Sequence, residues 1–213
     1  MILPVGSTQI ITISAIFPTD DGGVYVCGSG VYTCINGEPF VFVVKYTDDG
    51  EAVLIVEQYF KDTQRVTGNF DSPSYEKFFN YRDILLVNIS SLGKIEWVEK
   101  IPKRQLVGTP AVYYISYEMK VHKDNRFFIF NHNMDNAGYT GEGEPKRFGG
   151  YIQSHLMLVA LDGNGKQTRE LLVSGIDAKF MVRPSHSMAL TKDELIIYGR
   201  TRNRYRLSKL SFQ

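Results

Sequence analysis

Ile16-Phe17-Pro18-Thr19-Asp20-Asp21-Gly22-Gly23-Val24-Tyr25-Val26 and Val44-Lys45-Tyr46-Thr47-Asp48-Asp49-Gly50-Glu51-Ala52-Val53-Leu54 are two versions of one unit. Each is a β-prone run, then Thr-Asp-Asp-Gly, then a second β-prone run. Asp tolerates a left-handed backbone and Gly adopts it freely, so the shared tetrapeptide reads as a hairpin turn. Working outward, the same logic finds turns at Ser90-Ser91-Leu92-Gly93, Lys123-Asp124-Asn125, Asp162-Gly163-Asn164-Gly165 and Lys192-Asp193-Glu194. Between them lie runs rich in Val, Ile, Tyr and Phe, the residues that suit a pleated, half-buried surface. The expected strands lie near 10–17, 23–28, 39–47, 51–60, 83–90, 94–101, 111–122, 125–131, 154–161, 167–174, 186–191, 194–199 and 204–212. Trp97 is expected on a strand, on the same face as Ile95 and at least half buried.

Later hairpins alternate between a tight kind (Val121 to Asn131, Ala189 to Gly199) and a kind with a Gly turn (Ile84 to Lys100, Leu156 to Val173). Two alternating hairpins make a four-stranded antiparallel sheet, and a chain of such sheets is the signature of a β-propeller. The spacing is irregular, 28 residues from Gly22 to Gly50 and 43 from Gly50 to Gly93, and long loops at 61–82 and 132–153 account for the stretch. The strands fill about three blades and a remainder, fewer than a closed propeller needs. The expected fold is therefore all-β, with antiparallel four-stranded repeats, propeller-like but partial or irregular. A β-sandwich is the alternative, because alternation and turn spacing do not separate the two. Residues 1–213 are expected to form a single all-β domain within a longer propeller-like protein. One short helix is expected at Ser72–Tyr81, where Ser72 can cap and Pro73 suits the first helical position.

Composition fits this architecture. Hydrophobic residues are 43% and charged residues 22% of 213, enough for a packed core. Aromatics reach 13%, with 13 Tyr and 13 Phe beside the single Trp97, a balance suited to strands and to carbohydrate- or peptide-facing surfaces. Lys plus Arg total 24 against 23 Asp plus Glu, a net charge of +1, which argues against a nucleic-acid partner. No apolar run reaches the roughly 18 residues of a membrane span. Met1-Ile2-Leu3-Pro4-Val5-Gly6 lacks the basic and apolar regions of a signal peptide, so the chain is expected to be cytosolic or to begin after a removed leader.

Four segments together carry a family resemblance. They are Val56-Glu57-Gln58-Tyr59-Phe60; Asp83-Ile84-Leu85-Leu86-Val87-Asn88-Ile89, continuing through Gly93-Lys94-Ile95-Glu96-Trp97 to Ile101-Pro102-Lys103-Arg104-Gln105; Asn125-Arg126-Phe127-Phe128-Ile129-Phe130-Asn131-His132-Asn133; and Arg183-Pro184-Ser185-His186-Ser187 with Glu194-Leu195-Ile196-Ile197-Tyr198-Gly199. Over residues 50–213 the chain resembles the C-terminal half of uncharacterised, secreted β-propeller-like proteins of Bacteroidetes. The resemblance implies a propeller-like fold and export to the periplasm or cell surface, and it implies no activity.

The motifs exclude several chemistries. His122, His132, His155 and His186 show no metal-ligand spacing. Asp162-Gly163-Asn164-Gly165-Lys166 has Lys at a ligand position and no Glu at the twelfth, Val173, so it is not a calcium loop. The Gly138–Pro145 stretch lacks the Gly-Lys-Ser/Thr of a phosphate loop, and no Gly-x-Ser-x-Gly elbow occurs. No cofactor or metal is expected. Cys27 and Cys34 could pair as a disulfide if exported, or remain free thiols in the core. Glu57, Glu96, Glu99 and Asp135 are available for glycoside hydrolysis, but strand spacing singles out no pair. Long loops in compact domains are normally functional or disordered, and 132–153 carries His132, Asp135, Tyr139 and Arg147, which can donate, accept and stack. Arg200, Arg202, Arg204 and Arg206 alternate, but a hairpin loop at Thr201–Arg204 would scatter them. The candidate ligand site is therefore His132, Asp135, Tyr139 and Arg147, with Arg202 and Arg204. The expected function is an exported binding or scaffold module with a glycan or protein ligand. The alternatives are a loop-borne glycan-active enzyme or a purely structural half of a larger propeller.

Overall fold

The computed structural model describes residues 9–18, 24–32, 39–47, 50–67, 74–139, 142–150, 154–174, 181–200 and 204–212. Among these the chain is all-β, with strands, short 3₁₀ turns and no α-helix. It divides into two compact units, residues 1–60 with 82–102, and residues 61–81 with 103–213.

The first unit is an antiparallel meander. Its strands are β1 (Gln9–Pro18), β2 (Val24–Tyr32), β3 (Pro39–Tyr46), the start of β4 (Ala52–Thr67), the end of β5 (Ser74–Ile89) and β6 (Ile95–Ile101), hydrogen-bonded in chain order. The two matching sequence units are the β1–β2 and β3–β4 hairpins. Gly50, at φ +87°, supplies the left-handed turn position that the sequence assigns it, and its N–H donates to Thr47 O at 3.0 Å. Period-2 burial is plain on β5, where Ile84 and Leu86 are fully buried and Leu85 between them is exposed. Trp97 lies on β6 and is at least half buried, as expected. Ile95 is not: a bulge at Glu96 pairs Asn88 with Trp97 but Ile89 with Ile95, and Ile95 is left 63% exposed.

The second unit contains two sheets and the strand β7 (Gln105–Gly108), which pairs with Phe78–Tyr81 of β5. One sheet is a four-stranded antiparallel meander of β8 (Glu118–His122), β9 (Asn125–Asn133), β10 (Ser154–Leu161) and β11 (Gln167–Ser174). The other has β14 (Glu194–Arg200) at its centre. β12 (Met181–Val182) and β13 (Met188–Thr191) flank it on one side and β15 (Tyr205–Ser211) on the other. The two sheets share an apolar core of Ile129 and Leu156 with Val182, Leu195, Ile197 and Phe212. A second cluster, Val107, Ile115, Phe148 and Met181, gathers Phe79, Tyr81 and Tyr114 around it.

Three expectations about local structure are corrected. The segment 61–82 is not a loop, because β4 runs on to Thr67 and β5 starts at Ser74. The helix expected at Ser72–Tyr81 is strand from Ser74 onward. Its Ser-Pro cap signal is local, whereas Phe78–Tyr81 gain ladder bonds from β7, which the helix reading could not weigh. The strand expected over 111–122 begins only at Glu118. Thr109–Tyr114 is a 3₁₀ turn with Pro110 setting its start, and Ser116 at φ +70° breaks the run.

Candidate functional site

The loop after β9 does not present the residues expected of it as one surface. His132 is the penultimate residue of β9, directly opposite His155 of β10, and is 2% exposed. Its ring meets Phe130 edge-on, and neither ring nitrogen has a hydrogen-bond partner. Burial, then the charges of Arg169 and Lys103 and the His155 ring, push its pKa down to about 4, so the imidazole is neutral. Asp135 and Arg147 are exposed, and Tyr139 is half-buried with its hydroxyl donating to Gly143 O at 2.5 Å. Arg169 lies 5.7 Å from the Tyr139 ring centroid. The asparagines fasten the loop. Asn133 accepts from Asp135 N–H and donates to Arg147 O, while Asn136 donates to Lys146 O and accepts from Lys146 N–H. Arg202 lies outside the described residues. Arg204 is exposed beside β15, and among the described residues no hydrogen bond, ion pair or ring contact joins it to this loop.

The outer face of the last sheet presents a different set. Leu195 and Ile197 turn inward, so period 2 sends Ile196, Tyr198 and Arg200 outward. The β14–β15 register sets Leu207 opposite Tyr198 and Tyr205 opposite Arg200. Tyr198 and Tyr205 stack at 5.8 Å, His186 stacks with Tyr198 at 5.9 Å, and Tyr113 meets His186 edge-on at 5.8 Å. This four-ring ladder is open to solvent at both ends, with Tyr113 48% and Tyr205 64% exposed. Two arginines run along it. Arg183 donates its backbone N–H to Tyr198 O, and its guanidinium lies 5.0, 5.2 and 5.8 Å from the rings of Tyr113, Tyr114 and Tyr198. Arg200 lies 5.2 Å from Tyr205. Such contacts use the negative faces of the rings to hold cations in place. Sequence reasoning noticed the alternating arginines but not the ladder. The available signal was Tyr198 and Arg200 at period 2, with Tyr205 across the following hairpin.

A groove of about 490 Å³ lies near the β8–β9 and β13–β14 turns, lined by Val121, His122, Lys123, Lys192, Asp193 and Phe212. His122 Nδ1 is 3.1 Å from an Asp193 carboxylate oxygen, and its Nε2 is buried without a partner. Strand β9 runs from this end of the sheet to the 132–153 loop. Cys27 is half-buried on β2, and burial raises its thiol pKa; Cys34, and with it any pairing, lies outside the described residues. No group of three or more His, Cys, Asp or Glu among the described residues is arranged to hold a metal ion. No helix among them is long and apolar enough to cross a membrane.

Comparison with protein-family models, curated proteins and solved structures finds no match.

Proposed function

We propose that this chain is a non-enzymatic binding module of an exported bacterial protein, built from propeller-like blades, and that it meets its ligand through the outer face of the β12–β15 sheet. The observation that carries the binding reading is the ladder Tyr113–His186–Tyr198–Tyr205, exposed at both ends. Exposed aromatics are costly to leave in water and serve where one side is apolar and the other wet, as ligand-facing surfaces are. The propeller reading is supported by chain order. β8 to β11 form one sheet and β12 to β15 the next, and consecutive sheets share an apolar core. A Greek-key sandwich would send neighbouring strands to opposite sheets. Export rests on the family resemblance of residues 50–213.

The test is a glycan array followed by calorimetry. Binding without turnover is expected, and Tyr205→Ala should weaken it on the order of tenfold, because one stacking face is lost. Hydrolysis of a bound glycan, abolished by an Asp or Glu substitution, would replace this reading with the enzymatic one. For that second reading the place to test is the groove beside the His122–Asp193 pair. Placed there, it predicts that His122→Ala abolishes any turnover found.

A further inference from the structure

We infer that the ligand of the tyrosine ladder is an acidic polysaccharide, whose carboxylates are held by Arg183 and Arg200. This rests on the binding reading above and adds the ligand's chemical class. Arg183 sits among three tyrosine rings, its Nε buried without a hydrogen-bond partner, and its Nη2 reaches only the Tyr114 hydroxyl at 3.5 Å. Among the described residues neither Arg183, Arg200 nor Arg204 has a carboxylate partner. The acids of this sheet are engaged elsewhere: Glu194 pairs with Lys209 at 2.6 Å, and Asp193 with His122.

A partly buried guanidinium with no counter-charge normally costs stability, because desolvation is not repaid by a partner. Here ring contacts hold the cations in place, and among the described residues no carboxylate fills their N–H forks. A planar fork matches a carboxylate with two parallel hydrogen bonds. The ladder adds what a small anion would not use: ring faces for C–H surfaces, and phenol hydroxyls that both donate and accept. Sugar rings bearing hydroxyls and carboxylates at a regular repeat present all three features together. The chain's net charge of +1 fits recognition by short-range forks rather than by a long-range basic field.

Calorimetry with a soluble polyuronate and with the same polymer after carboxyl reduction tests this. The polyuronate should bind at least tenfold more tightly. Arg200→Gln, checked for an intact fold by circular dichroism, should bring the two affinities together, and Arg183→Lys should do so in part because Lys cannot form the fork. Tyr205→Ala should weaken both polymers. Equal binding of both polymers by the unaltered chain would overturn the acidic class while keeping the binding module. So would single-stranded DNA or polyglutamate binding as tightly as the polyuronate. Tight polyuronate binding unaffected by Tyr205→Ala and Arg200→Gln would overturn the assignment of both contacts to this face. Binding of none of these polymers would overturn both readings.

Discussion

Asn131 holds three distant parts of the second unit together with one side chain and one carbonyl. Its Nδ2 donates to Tyr114 O at 2.8 Å and Val182 O at 2.6 Å, and its own carbonyl accepts from Gln105 Nε2 at 2.8 Å. Gln105, fully buried, receives Lys103 Nζ at 3.0 Å and the N–H of Ser116 at 2.7 Å on its Oε1. That last bond helps hold Ser116 at its positive φ. Asn131→Leu keeps the volume but strips the donors from two carbonyls. It should cost about 2 kcal/mol in urea unfolding, from one buried and one part-buried acceptor left unsatisfied. A change under about 1 kcal/mol would mean that water replaces the amide. This network explains why Asn131-His132-Asn133 was only half legible. A polar triplet at the end of a buried strand reads equally well as a ligand site or as backbone fastening. The carbonyls that decide between them lie 17 and 51 residues away.

At the scale of elements, strands with an Asp or Gly turn beside them were readable. β3, β6, β10, β11 and β14 fall within a residue or so of their expected places, because propensity, alternation and turn chemistry agree there. Elements set by a remote partner were not. The far end of β5 depends on β7, and the short β12 depends on β14. The ladder was illegible for the same reason: Tyr113, His186, Tyr198 and Tyr205 come from separate elements that only strand register and packing bring into line. The loop expected from residue 132 starts later, because β9 runs to Asn133, and two asparagines that read as ligand-facing fasten its described part instead. Asn136 bonds both the carbonyl and the N–H of Lys146, closing the loop at its base. Asn136→Ala should therefore cost about 2 kcal/mol and speed proteolytic cleavage within 137–145. Unchanged cleavage kinetics there would show that the Asn133 bonds alone hold the loop. Trp97→Ala on β6 should cost about 3 kcal/mol, since a large, mostly buried ring is lost; a change within about 0.5 kcal/mol would mean the ring's face is misassigned.

Two titratable groups of the β8–β11 sheet respond to acid in opposite directions. Burial raises the Glu118 carboxyl from its ordinary 4.5 to about 7, with Lys120 only partly offsetting it, while His132 drops from 6.5 to about 4. Glu118 has a folded value above its unfolded one, so its stabilising contribution is complete below pH 4.5 and lost as pH rises to 7. His132 has a folded value below its unfolded one, so its contribution is complete above pH 6.5 and lost as pH falls to 4. Each amounts to about 3 kcal/mol. Over the shared window their slopes cancel, so these two groups together leave stability nearly flat between pH 4.5 and 6.5. Substitution exposes each slope. His132→Leu breaks no hydrogen bond, because both ring nitrogens lack partners, and it leaves Glu118 alone; stability should then fall by about 3 kcal/mol from pH 4.5 to 7 relative to the unaltered chain. Glu118→Gln leaves His132 alone, and stability should instead rise by about the same amount from pH 4 to 6.5. The double variant should be flat again. Urea unfolding followed by circular dichroism at half-unit pH steps reads all four profiles. Single variants whose profiles tilt the same way, or not at all, would show that water reaches one of these groups in the folded chain and that its burial does not govern its proton.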